Sequence, residues 1–552
     1  MKGFKAEKRR LIYSFVFSVL FAAGLIWGHQ LSTLGYTSPG VRGKLITLIL
    51  SILLALPFSA IVYFALGWLK TDSKEKIKGL RKWTKKKFFL VCGVIFLCWI
   101  PVFLAYFPAV MAYDTNVQLL QALWGVPYFS SQHPQIHTLF IWICVTFGEA
   151  VNSYEAGMAM YSIIQMLLLS ASLSYATGFV YRLSGKMPAI LSFAFFAFFP
   201  YISILSVSVT KDVPFSAFVL VFTLLIAERF CFENVNIKRL NVYTVFFGVL
   251  VIIFRKNAIF AMTVLLIMAV LLLRGKERKS FLLLLLGVFV AGVAALGIIK
   301  LTLEYFVGNG IIEVLGVPIQ QMARVGNRHG AKGSNDMSNE DYELLNKYIP
   351  EEYWENYNPA TADTVKFGIM GSTEAGGDGT FFDMTYDWVK LGMHYPNEYL
   401  DAFLALTKGY WDIFDDSFAN SLGAGADIGK GVLYTFNASD NYMLDEEIKD
   451  IPVLPGFKQL LNRLVNDDIC LKIPLLRILF QPAFYVWIIL FGIMNAMYKR
   501  DKKQIVMYGL LTGNFLTLLL GPTVLVRYAF PMILAFPVIL SGLKHTAQQS
   551  SR

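Results

Sequence analysis

Apolar runs recur along this chain, most of them long enough to carry a helix across the roughly 30 Å hydrocarbon core of a bilayer. They lie at Leu11 to Gly28, Leu45 to Leu69, Phe88 to Val110, Ala156 to Tyr181, Ala189 to Val207, Val213 to Phe230, Val242 to Phe254, Ala258 to Leu273, Phe281 to Leu303, Leu476 to Met497, Ile505 to Leu520 and Tyr528 to Leu543. Inside lipid the backbone polar groups have no water to bond, so each run must satisfy them internally, and helices do this one segment at a time. The alternating apolar and polar pattern of a barrel strand is absent. With 56% hydrophobic residues and 15% aromatic ones, the chain is also too apolar to need only a globular core. The expected fold is an all-α polytopic membrane protein with about twelve transmembrane helices.

Charge then orients the spans. The net charge of +11 does not form a nucleic-acid surface, because the Lys and Arg residues collect in short links between apolar runs. Those links are Lys74 to Lys87, Tyr181 to Lys186, Lys238-Arg239, Arg274 to Lys279 and Tyr498 to Lys503. Positive-inside logic places them in the cytoplasm. The first run follows Lys8-Arg9-Arg10 but is long for a signal peptide and lacks a good cleavage site, so it reads as an uncleaved span. Ile136 to Val151 is apolar enough to be a span, yet counting it would turn every later basic link outward. It is therefore expected to lie at the interface or re-enter the membrane, which leaves both termini inside. Asp114 to Gly125 has one apolar face at helical spacing and is a second interfacial candidate.

The resulting layout is a transmembrane pair with a basic loop (1–87), a membrane core (88–303) whose external loop spans 111–155, an extracytoplasmic domain (304–472), and C-terminal spans (473–552). The outer region combines a capped helix start at Ser338-Asn339-Glu340-Asp341 with an amphipathic run after Pro396, so it is expected to be compact and mostly helical. Gly376-Gly377-Asp378-Gly379 lacks the Lys-Ser/Thr ending of a phosphate loop and reads as a flexible turn. Four of the five cysteines lie in or beside apolar segments, which implies neither a disulfide framework nor a zinc cluster.

On this topology Asp114, His133-Pro134, Lys211-Asp212, Arg255-Lys256-Asn257 and Arg527-Tyr528 all fall at one membrane face. Ionisable groups bordering apolar sequence need a partner, water or a ligand. The excess of cations on the side where few are expected points to an anionic ligand, and a lipid phosphate is the natural one. Each group also has a structural reading. Asp114 can cap the helix that follows it. Lys211 and Asp212 can form an ion pair, and Arg255, Lys256 and Arg527 can snorkel at span ends. His133 and His137 stand four apart as metal ligands would, but no third ligand is near, so His133 reads better as a polar contact and no metal site is expected.

Tyr113-Asp114-Thr115 before an amphipathic helix, then Gln132-His133-Pro134-Gln135 opening an apolar one, resembles the first external loop of GT-C glycosyltransferases. Val209-Thr210-Lys211-Asp212-Val213-Pro214 looks like a second recurrent element of that superfamily. Arg527-Tyr528 followed by Pro531 is similar to its C-terminal Arg-Tyr pair. The outer region, with Ile319-Gln320-Gln321-Met322-Ala323-Arg324 and Tyr357-Asn358-Pro359, resembles a bacterial subgroup.

The resemblance implies a sugar donor carried on a polyprenyl phosphate. In it Asp114 activates the acceptor, Asp212 is a second acidic residue shaping the site, and Lys211 and Arg527 are phosphate partners. Many members have two adjacent acidic residues or His-Pro-Pro in that loop, whereas here Thr115 follows Asp114 and Gln135 follows Pro134. No cofactor is expected, and a divalent-metal requirement is not fixed by the sequence. The residue types suit the chemistry in their own right. A sugar on phosphate already has a good leaving group, so one base and several cations suffice, and attack opposite the phosphate inverts the anomeric centre. The acceptor would be an envelope glycan, lipid or protein. The rival expectations are a lipid-linked oligosaccharide flippase, which should show broken helices or mid-membrane charges in matching halves, and a non-enzymatic envelope-assembly protein.

Overall fold

The computed structural model describes residues 2–37, 40–69, 82–111, 113–233, 235–305, 315–330, 336–371, 381–415, 448–465 and 469–545. The Gly376 to Gly379 turn lies outside them, as does the side chain of Asp114. The described chain is an all-α polytopic membrane protein. Eight of its helices are long and apolar enough to cross a membrane: α1 (Lys2–Leu34), α2 (Gly40–Leu69), α3 (Lys85–Ala105), α6 (Tyr154–Ser184), α9 (Asp212–Cys231), α10 (Ile237–Phe254), α12 (Gly275–Leu303) and α22 (Pro482–Lys499). Shorter apolar helices are α7 (Lys186–Phe198), α11 (Ala258–Leu272), α24 (Gly509–Leu518) and α25 (Phe530–Gly542).

Three apolar runs that read as single spans are broken. The run from Ala189 divides at Phe199, whose extended backbone (ψ 116°) precedes Pro200 and a short helix, α8 (Pro200–Leu205). Proline lacks the N–H for the helix ladder and pushes the residue before it out of the α region. Gln481 before Pro482 does the same (ψ 124°), separating α21 (Pro474–Phe480) from α22. The third run parts at Tyr508, between α23 (Lys502–Met507) and α24. Proline alone does not decide the matter, since Pro57, Pro101 and Pro537 sit inside continuous helices.

α9 is the hub: its membrane window is 94% buried within the protein, against 22% for α2, α3 and α12. The bundle has two chemically distinct ends. At one, the Arg10 guanidinium donates to Tyr63 O (2.6 Å), Lys544 lies 3.6 Å from the Trp68 ring, and Arg182 pairs with Glu228. Lys499, Lys503 and Arg229 gather at this same basic end. At the other end, β1 (Val110–Met111) pairs in parallel with β2 (Ser208–Val209), with Val110 opposite Ser208 and Met111 opposite Val209. The Gln165 side chain on α6 holds the loop before β2. From there to Ser184 at the basic end is roughly 28 Å of helix at 1.5 Å per residue.

α5 (Gln135–Ala150) returns sharply into α6 through Asn152, which has a positive φ of 55°. The two helices touch backbone to backbone, since a Cβ on Gly157 would stand 2.4 Å from Cys144 O. The partners of α5 are α4 (Tyr113–Trp124), the first turns of α6, Phe254 at the end of α10, and Glu304 just beyond α12. All of these lie away from the basic end.

The region after α12 is helical, as expected, with α13 (Gly316–His329), α14 (Asn339–Tyr348), α15 (Glu351–Trp354), α16 (Asp363–Gly371), α17 (Phe381–His394) and α18 (Pro396–Thr407) packed around Met322, Leu345, Trp354 and Leu391. Ser338 caps α14, accepting from Asp341 N at 3.1 Å. Trp354 and Tyr399 belong to this core. The buried Arg324 fastens the domain to the turn between α1 and α2. Its guanidinium donates to Glu398 Oε2 (2.9 Å), Asp401 Oδ2 (3.4 Å) and Gly35 O (2.8 Å), while Asp401 Oδ1 accepts from Thr37 N (3.1 Å). Burial raises the Asp401 carboxyl above its ordinary value, against the lowering effect of the Thr37 hydrogen bonds and Arg324.

Candidate functional site

The site grows out of the β1–β2 pairing. Beyond β2 the chain enters α9 through Lys211 and Asp212, and Asp212 occupies the first turn, where a carboxylate meets the positive end of the helix dipole. Beyond β1 it enters α4, which Tyr113 and Asp114 open. The Thr115 hydroxyl donates to Val209 O and locks this second helix start against the first. Asp114 is thus three positions past Met111 and Asp212 three past Val209, the two residues paired across the strands.

The Asp212 carboxylate is 1% exposed and is bracketed by cations from two distant parts of the chain. Arg255 Nη1 lies 3.5 Å from Oδ1, and Arg527 Nε lies 3.7 Å from Oδ2. Arg255 is at the C-terminal cap of α10, stacked between Phe215 (5.4 Å) and Tyr528 (5.1 Å). Arg527 sits in the short 3-10 turn Val526–Ala529, 5.2 Å from the Tyr528 ring. A planar guanidinium suits both a carboxylate and an aromatic face, which a lysine could not match. Lys211 Nζ stands 3.3 Å from His133 Nδ1. An ammonium can only donate, so Nδ1 accepts and the His133 ring is neutral there. Lys256 Nζ donates to Ser131 O (3.0 Å), and burial lowers its pKa. Arg255 and Arg527 therefore flank the Asp212 carboxylate from two sides, with Lys211 and His133 beside them, and among these residues the surplus of charge is positive.

All the site residues predicted from sequence lie at this one end of the bundle, on two adjoining layers. Asp212, Arg255, Arg527 and Tyr528 are in mutual contact. Lys211 with His133, and Lys256 with Ser131, flank them on the side of the α4–α5 loop. His137 is not beside His133 chemically. Its Nδ1 faces Gln118 Oε1 (3.0 Å) and its Nε2 faces Tyr161 OH (2.7 Å), so both nitrogens are engaged. Among the described residues no group of three His, Cys, Asp or Glu side chains is arranged to hold a metal.

Two features were not visible in the sequence. The first is a buried polar chain. Gln165 Nε2 reaches Leu205 O, Ser206 O and Ser208 O (3.3, 3.0 and 2.7 Å), which only accept, so its Oε1 accepts from Tyr161 OH (3.0 Å). The His137 ring then links the Tyr161 hydroxyl, at Nε2, to Gln118 on α4, at Nδ1. It ties the helix that Asp114 opens to the strand that precedes Asp212. A glutamine in the middle of an otherwise apolar span was the available signal.

The second feature is Tyr410, fully buried beside Tyr528, Arg255 and Asp212, and kept protonated because burial pushes its hydroxyl up. It arrives from the outer region, whose Ala362 N donates to Pro522 O (2.8 Å), five residues before Arg527. Gly409 packs so closely on Val524 that an added Cβ would stand 2.8 Å from its Cγ1. The helices that follow α12 thus touch the chain just before the Arg527 turn. An enclosed apolar cavity of about 40 Å³, lined by residues including Phe179, Leu220 and Tyr508, lies nearer the basic end and has no part in this cluster.

Fold and site together define a multi-pass α-helical membrane protein with a cation-rich, aromatic-lined cluster at the end of the bundle opposite its basic end. The chain belongs to DUF6020, a family of unknown function, whose profile matches residues 123–552. The match takes in His133, Lys211, Asp212, Arg255, Lys256, Arg527 and Tyr528, while Asp114 precedes it. No curated protein and no solved structure matches the chain.

Proposed function

We propose that this protein is a membrane glycosyltransferase that moves a sugar from a polyprenyl-phosphate donor to an envelope glycan, lipid or protein acceptor on the extracytoplasmic face, with inversion. The observation that carries the reading is the arrangement around Asp212. Two cations, Arg255 and Arg527, converge on one buried carboxylate at the start of α9, Lys211 lies beside them against His133, and the cluster adjoins a second helix start that carries Asp114. A phosphate leaving group requires such a surplus of donors.

In this reading Asp212 organises Arg255 and Arg527, with each of which it makes an ion pair. Asp114 is the base for the acceptor hydroxyl. Lys211 and Arg527 take the phosphate, Lys256 and His133 border the lipid side, and Tyr528 and Tyr410 wall the site with Arg255. No cofactor is invoked. The topology that suits the reading has about twelve spans, made of the eight long helices and the four shorter apolar ones, with α5 lying at the site end without crossing. Both termini are then cytoplasmic and the 315–415 helices extracytoplasmic. The depth of the cluster, about one hydrocarbon thickness from the basic end along α6, supports this placement.

The test is mass spectrometry of lipids copurifying with the full chain. A polyprenyl-phosphate sugar carried by wild type and lost in the Arg527→Ala variant is the expected result. A chain that carries no such lipid and turns none over when supplied with it is not a glycosyltransferase of this class.

A further inference from the structure

The basic end of the bundle carries a feature that glycosyl transfer does not use. Between α10 and α12 runs an open groove of about 570 Å³. Lys276, Lys279 and Ser280 stand at its head, and Val245, Leu283 and Gly287 continue it along the helices. Lys276, Ser280, Leu283 and Gly287 fall at helical spacing, so one stripe of α12 presents charge and then apolar surface over about 16 Å.

Among the described residues the charge at the head is not spent. Lys276 and Lys279 are exposed and make no ion pair among the described residues. Glu277 in the same turn pairs with Lys503 Nζ (2.8 Å) and lies within electrostatic reach of Arg229, which leaves Lys276 and Lys279 as the groove's own cations. Behind the lysines, Arg229 Nη1 donates to Asn241 Oδ1 (2.8 Å) and Nη2 to Ser280 Oγ (2.7 Å), which fixes a third positive charge at the same spot. The start of α12, with its unpaired N–H groups and positive dipole end, lies there as well. Among the described residues no acidic side chain lines the groove. Leu283 is 69% exposed, and in a membrane that face meets lipid.

We propose that this groove is a binding site for an anionic glycerophospholipid of the leaflet at the basic end, with the headgroup phosphate on Lys276 and Lys279 and one acyl chain along Val245, Leu283 and Gly287. Cations followed by an apolar trough match the order of groups in such a lipid, and the trough distinguishes it from a site for free phosphate. The inference is independent of the proposed transfer reaction and involves none of its residues.

The experiment uses the purified full chain in detergent, with binding of phosphatidylglycerol and phosphatidylcholine followed by native mass spectrometry and thermal shift. Wild type should retain phosphatidylglycerol over phosphatidylcholine and gain thermal stability from it. Lys276→Gln with Lys279→Gln should weaken that preference by on the order of ten-fold. Gly287→Leu and Gly287→Trp should also weaken binding while leaving every charge in place, because a side chain added there projects into the trough, with only Val245 Cγ2 nearby at 3.8 Å. Two glycine substitutions are paired so that a folding defect in the larger one leaves the smaller to decide. Arg278→Gln, on an exposed position outside the groove, should leave binding as in wild type. Equal loss with Arg278→Gln would mean diffuse surface charge and overturn the site. So would undiminished phosphatidylglycerol binding in either the lysine or the glycine variants, or glycerol 3-phosphate stabilising the chain as well as the lipid does.

Discussion

Met111 stands opposite Val209 in a parallel pairing only two residues long, and each is followed three positions later by an acidic residue at a helix start, Asp114 and Asp212. Asp212 is sealed between Arg255 and Arg527, and the backbone of Asp114 opens α4. The proposed division makes Asp212 the organising acid and Asp114 the working base.

That division makes Asp114→Asn the sharpest substitution. A cap needs only a side-chain acceptor, so Asn should keep folding and donor binding within about 1 kcal/mol of wild type. A base must take a proton, which Asn cannot do, so transfer to acceptor should fall by about two orders of magnitude or more. Binding and turnover measured on one preparation separate the two. Wild-type turnover would remove Asp114 from the chemistry, and a parallel loss of melting temperature and rate would leave it only a cap.

Arg527 and Lys211 are expected to act on donor affinity. Arg527→Ala removes a charge-assisted partner and also leaves Asp212 with one cation fewer, so both donor binding and stability should decline, the latter by roughly 3 kcal/mol. Asp212→Asn in the same chain should restore part of the stability without restoring binding. Lys211→Ala should weaken binding alone, and Arg527→Lys should rescue only partly, since a point charge cannot reproduce the planar fork. Donor titration beside thermal denaturation checks all four, and unchanged donor affinity in both alanine variants would dismiss the phosphate clamp.

Topology is open to direct labelling. Single cysteines at the exposed positions Lys186 and Lys276 should resist an impermeant thiol reagent in intact cells, while those at Gln132 and Glu352 should react. Labelling of position 186 from outside would mean that α5 crosses the membrane, and the site could not then be extracytoplasmic with the termini inside.

Asp412 gives the protein a pH dependence with a definite sign. Burial pushes its carboxyl from the ordinary 3.8 up to about 6, despite the hydrogen bond it accepts from Phe414 N (3.0 Å). A carboxyl raised in the folded state favours folding while protonated, so its contribution is complete below about pH 4 and is lost as pH rises through about 6. The loss is at most about 3 kcal/mol, from a shift of roughly two units. Asp412→Asn keeps an acceptor for Phe414 and should raise the melting temperature at pH 8 by more than at pH 5. The same shift at both values would show that Asp412 ionises normally.

What the sequence settled by itself was the class of solvent and the chemistry on offer. Long apolar runs permit only helices in lipid, basic links mark one end, and the residues Lys211, Asp212, Arg255 and Arg527 bordering those runs were recognisable because charge there is costly without a partner. Local pattern also placed the Ser338 cap and the outer helix after Pro396. Tertiary structure decided which prolines break a span. Pro200 and Pro482 do so, whereas Pro57, Pro101 and Pro537 sit inside continuous helices. It also decided that His137 serves a polar chain in place of any pairing with His133, and that Tyr410, more than a hundred residues from any other member of the cluster, is buried within electrostatic reach of Arg255 and Asp212. Such choices depend on contacts between segments far apart in the chain, and periodicity carries no information about which distant segment a given face will meet.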